Sequence, residues 1–84
     1  MNYNYIGSIK GASLVVKKRQ RKRGRSKNVY YLGMAYEIYD KHADEITRTL
    51  TGFGGMSDGT RNNFMFTKRP AAEKAWAWFL LKFA

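Results

Sequence analysis

Few residues in this sequence are equipped for covalent chemistry. The chain holds one histidine, His42, and no cysteine. Metal sites usually draw on several His or Cys side chains, and nucleophilic catalysis needs a base beside a Ser, Cys or Thr. Asp40 and Asp44 flank His42 and could orient it, yet no nucleophile stands near them in sequence. Glu37, Asp40, Asp44 and Glu45 form a small acidic cluster suited to balancing nearby positive charge. These residue types predict a non-catalytic protein without metal or cofactor.

The charge is more informative. Sixteen Lys and Arg stand against six Asp and Glu, a formal net charge of +10. Eight of the basic residues crowd one stretch: Lys17, Lys18, Arg19, Arg21, Lys22, Arg23, Arg25 and Lys27. The rest of the chain is close to balanced, so the excess is a local device. Like charges at this density repel, and only solvent or an anionic partner offsets that. Arg and Lys neutralise phosphates and release condensed counterions, and Arg adds a planar fork for phosphate or guanine edges. The run therefore reads first as a nucleic-acid-binding finger. An acidic protein surface is a second partner of the right sign, and a solvated loop or localisation tag is a third reading. Arg48, Arg61, Lys68 and Arg69 extend the basic track if they share its face.

Other motifs fall short. The segment 52–59 is rich in glycine but lacks the Gly-Lys-Ser/Thr of a P-loop, and its glycines suit turns with positive φ. Gly52-Phe53-Gly54 lacks the leading basic residue and trailing aromatics of an RNA-recognition signature.

The elements that must position the finger are small. Eighty-four residues make one domain, residues 1–84, with a limited core. The blocks Tyr3–Ile9 and Ala12–Val16 read as strands across a turn at Lys10-Gly11. Val29 to Tyr39 alternates, with Tyr30, Leu32, Met34, Tyr36 and Ile38 on one face and Tyr31, Gly33, Ala35, Glu37 and Tyr39 on the other. Residues 17–28 then become the tip of a β-hairpin. Tyr31 and Tyr39, with Tyr3 and Tyr5 of the first strand, are candidate platforms for unpaired bases. Asp40 to Asp44 reads as a loop. Over Glu45 to Phe53, Thr47, Thr49 and Thr51 favour a strand, while Ile46, Leu50 and Phe53 also fit a helix; the strand is preferred. Asn63 to Thr67 is a short strand. Pro70 opens a C-terminal helix over 70–83, with Ala72, Trp76, Phe79, Leu80 and Phe83 as its core stripe. Trp78 and Leu81 lie off that stripe and suit a protein partner or a homodimer.

The expected fold is α+β, an antiparallel sheet of about four or five strands backed by one C-terminal helix. The stretch Arg25 to Trp76, 52 of the 84 residues, resembles the arm-type DNA-binding domains of tyrosine recombinases. Phe66-Thr67-Lys68 leading into Ala72-Glu73-Lys74-Ala75-Trp76 is similar to their last strand and helix start. That resemblance implies a three-stranded sheet followed by a helix and carries no binding residue with it. The sequence-level expectation is a nucleic-acid-binding module, of DNA or RNA, using Lys17, Lys18, Arg19, Arg21, Lys22, Arg23, Arg25, Lys27, Tyr31, Arg61, Lys68 and Arg69. The alternative is a small phage- or plasmid-type protein that inhibits a host enzyme through the finger and through Trp78 and Leu81. No stretch is apolar for the ~20 residues a membrane span needs, and a cytoplasmic, intracellular location is expected.

Overall fold

The computed structural model describes residues 3–19, 27–57, 59–60 and 62–83, with the side chains of Tyr3 and Arg19 left out. Strands β1 (Tyr3–Ile9) and β2 (Ala12–Arg19) are joined by the predicted turn, where Gly11 takes φ +90°. Strand β3 (Lys27–Met34) pairs antiparallel with β2 in an unbroken register from Ala12–Met34 to Arg19–Lys27. The hairpin predicted around the basic run is present. Its root is long because Leu and Val on β2 and Val, Tyr and Leu on β3 pack well on a pleated surface.

The alternation predicted to run to Tyr39 stops at Met34. Ala35 stays extended, and its N–H donates to the Gly11 carbonyl at 2.7 Å, tying the strand end to the first turn. Helix α1 (Tyr36–Gly52) follows, where a loop and a strand were expected. Burial decides between the two periodicities. Ile46 and Leu50 are fully buried and Phe53 packs on the core, whereas Thr47 and Thr51 are exposed. The i, i+4, i+7 spacing was the one with a core to face. The helix is kinked at His42, whose backbone is non-helical. It ends in a Schellman motif: Gly54 adopts φ +100° and donates to Thr51, and Gly55 donates to Leu50, both at 2.9 Å. The glycine-rich segment thus begins as a helix stop.

Strands β4 (Met56–Ser57) and β5 (Asn63–Phe66) complete a five-stranded antiparallel sheet of order β1-β2-β3-β5-β4. Helix α2 (Arg69–Phe83) closes the fold close to its expected limits, with the Lys68 carbonyl accepting its first bond from Ala72. Its buried residues Ala72, Ala75, Trp76 and Phe79 join Leu14, Tyr30, Leu32, Met34, Phe64, Phe66, Ile46 and Leu50 in one cluster. Both helices therefore bury their apolar sides against the same face of the sheet. No helix of the described residues is long and apolar enough to cross a membrane.

Candidate nucleic-acid interface

Side chains directly opposite in an antiparallel ladder share a face. The helix side takes Leu14, Leu32 and Phe64 in one rung and Val16, Tyr30 and Phe66 in the next. The other side takes the residues between them. Tyr5 pairs with Val15, Val15 with Tyr31, Tyr31 with Met65, and Met65 with Met56. One row of two tyrosines, a valine and two methionines thus crosses all five strands on the face that neither helix covers. Tyr5 is 71% exposed and Met56 53% exposed, while Val15, Tyr31 and Met65 are half-buried and outside the core cluster.

Two further rows flank this one. Away from the basic run, Ser8 pairs with Ser13, Ser13 with Gly33 and Gly33 with Asn63. A shallow depression of about 540 Å³ lies here, with Tyr5, Ser8, Ser13, Gly33 and Asn63 in its lining. Gly33 leaves the space that the Asn63 amide occupies, and that amide donates to Thr60 Oγ1 at 3.0 Å. Toward the run, Lys17 pairs with Val29. Val29 is only 4% exposed yet stands apart from the core cluster. The pairing sets the base of the Lys17 side chain beside it, at the rim of the apolar row.

The predicted basic residues divide. Lys17 and Lys27 belong to the open face, while Lys18, opposite Asn28, is exposed on the helix side beyond Val16. Arg19 forms the last rung with Lys27. Arg21, Lys22, Arg23, Arg25 and Arg61 lie outside the described residues. Lys68 and Arg69 follow Phe66, which pairs with Tyr30, so both sit at the end of the sheet from which the run departs. Arg69 is turned onto α2, where its Nε donates to Glu73 at 3.0 Å. The hydrogen bond first, and the carboxylate charge second, raise the Arg69 pKa above its ordinary value. Arg48 is exposed on α1, in the helical layer, and adds nothing to the open face.

The aromatic candidates divide as well. Tyr31 is on the open face as expected; Tyr39 is not, because it belongs to α1, bonds Thr47 Oγ1 at 3.0 Å and packs 6.4 Å from the Phe64 ring. Trp78 is half-buried with an edge contact to Phe83, leaving Leu81, 89% exposed, as the more open of that pair. Met65 and the serine row were not singled out from sequence. The signal for Met65 was present, since it lies between the two inward phenylalanines of β5.

Among the described residues, no group of three His, Cys, Asp or Glu is placed to hold a metal ion. No protein-family model matches the chain, and neither a curated protein nor a solved structure matches it. None of these comparisons supports the likeness to arm-type recombinase domains. Helix α1, set between the third strand and the remainder of the sheet, departs from their order.

Proposed function

We propose that this protein binds nucleic acid without chemical turnover, holding phosphates with the basic run at the end of the β2–β3 hairpin. The observation that carries this reading is the ladder. It stays paired from the core to Arg19–Lys27, so the run leaves and re-enters the sheet at fixed points. Cations displayed from an ordered root lose less freedom on binding than those on a free tail. Lys17, Lys27 and Lys68 add positive charge at the same end of the sheet.

Fluorescence anisotropy against labelled single- and double-stranded DNA and RNA, at several salt concentrations, tests the reading. Submicromolar affinity is expected, with a log–log salt slope of about −4 or steeper, corresponding to roughly 4–6 neutralised phosphates. Changing Arg19, Arg21, Arg23 and Arg25 together to Ala is expected to abolish binding while the far-UV circular dichroism stays native. Unchanged affinity in that variant would refute the proposal. Weak binding, equal for every polyanion and lost at physiological salt, points instead to an acidic protein partner, with Leu81 as an apolar contact.

A further inference from the structure

The open face of the sheet is a second surface whose chemistry differs from that of the basic run. On the sheet face that neither helix covers, the apolar row exposes hydrophobic area at Tyr5 and Met56, which usually marks a contact surface. The row from Tyr5 to Met56 crosses the strands at right angles, because each member is the cross-strand partner of the next. Adjacent strands stand about 4.8 Å apart, which puts Tyr5 and Tyr31 roughly 10 Å from each other. Lys17 flanks the row on one side; Ser8, Ser13 and Asn63 flank it on the other.

From this arrangement we infer that the open face takes the unpaired bases of a single-stranded nucleic acid. The bases lie along the row, stacked on Tyr5 and Tyr31 and against the methionine side chains. The sugar–phosphate backbone follows the Lys17 side toward the basic run. A base on Tyr5 turns its hydrogen-bonding edge toward Ser8, Ser13 and Asn63, in the depression beside that ring. This rests on the nucleic-acid reading above and narrows it, because a duplex hides the faces of its bases and gives an aromatic ring nothing to stack on. Charge complementarity chooses between occupants: a strand of phosphates is opposite in sign to this +10 chain, and a second copy of the chain is not.

The test compares a single-stranded oligonucleotide with its own duplex, at one fixed salt concentration and across a salt series. Tyr5 is 71% exposed, so Tyr5→Ala leaves the fold intact. That variant is expected to lose about 5- to 150-fold in affinity for the single strand, the range for one stacked base. The duplex affinity and the salt slope stay unchanged, and Tyr5→Phe keeps wild-type binding. An equal loss on the duplex, or no loss on the single strand, overturns the inference. A second measurement uses wild-type protein alone. Irradiating it with a single strand carrying 5-iodouracil is expected to give adducts on the peptides containing Tyr5, Tyr31 or Met65. Adducts confined to the basic run overturn the inference while leaving the proposed function standing. A wild-type protein that binds no polyanion specifically removes both.

Discussion

At Gly7 the protein has no room for a side chain. A Cβ built there would run into the indole of Trp76, which closes α2 onto β1. In the sequence this glycine reads only as a weak point in a strand, because nothing nearby announces a tryptophan placed on it from the far end of the chain. Replacing Gly7 by Ala is expected to cost about 1–3 kcal/mol, the usual penalty for overpacking a well-filled core. Urea denaturation followed by tryptophan fluorescence measures it; a variant of undiminished stability would mean that the indole has somewhere else to go. The open face was partly legible at this scale. Alternation in β3 separates Tyr31 from Tyr30 and Leu32, and the same rule places Met65 opposite Phe64 and Phe66. That Tyr5, already a candidate platform, and Met56 stand in one row with Tyr31 was not legible, since a row across strands exists only once the strands have found their neighbours.

At the scale of elements, the C-terminal helix and the basic hairpin could be read from the sequence, and α1 only as the alternative set aside over Glu45 to Phe53. Threonines at every second position between Glu45 and Phe53 imitate a strand, and intrinsic preference yields when a different periodicity buries Ile46 and Leu50. The kink in α1 has its own support. The His42 ring packs 4.9 Å from Phe83, which also meets Phe79 at 4.8 Å and Trp78 at 5.9 Å. The last turn of α2 therefore supports α1 at its kink, while Ile38 and Tyr39 nearer its start pack on the core. Phe83→Ala is expected to cost about 1.5–4.5 kcal/mol, from three ring contacts at ~0.5–1.5 kcal/mol each. The effect should be uneven. Amide exchange is expected to speed up most over residues 36–42, and a uniform acceleration would show that Phe83 supports the whole fold equally. The Lys82–Glu45 pair at 2.9 Å joins the same two helices, but its half-exposed side chains make it a minor contributor.

Across the whole molecule, the charge is uneven: the stretch from Lys17 to Lys27, whose two ends are paired at one end of the sheet, holds eight of the sixteen basic residues of this +10 chain. Such self-repulsion opposes the compact state, and salt relieves it. Raising NaCl from about 20 mM to 500 mM is expected to raise Tm. Each ~1 kcal/mol of repulsion removed shifts a domain of this size by roughly 4–8 °C. Thermal denaturation of wild type beside the four-arginine variant checks the origin, since the variant should start with the higher Tm and respond less. A wild-type Tm that is flat in salt would mean that the run lies too far from the core for its charge to matter. The localisation of charge was plain in the sequence. The strand order β1-β2-β3-β5-β4 was not, because it depends on β5 returning past α1 to lie beside β3.

The two margins of the sheet are unlike its middle. On one side β4 has two residues; on the other, the register of β1 slips between Tyr5 and Gly7, a bulge. A strand at a margin offers unpaired N–H and C=O groups to any passing chain, and proteins blunt that offer by shortening or bending it. Here the β4 side is too brief to template a neighbour and the β1 side is out of step with a straight one. In a chain with six tyrosines, both devices work against edge-to-edge growth of the sheet into a fibril.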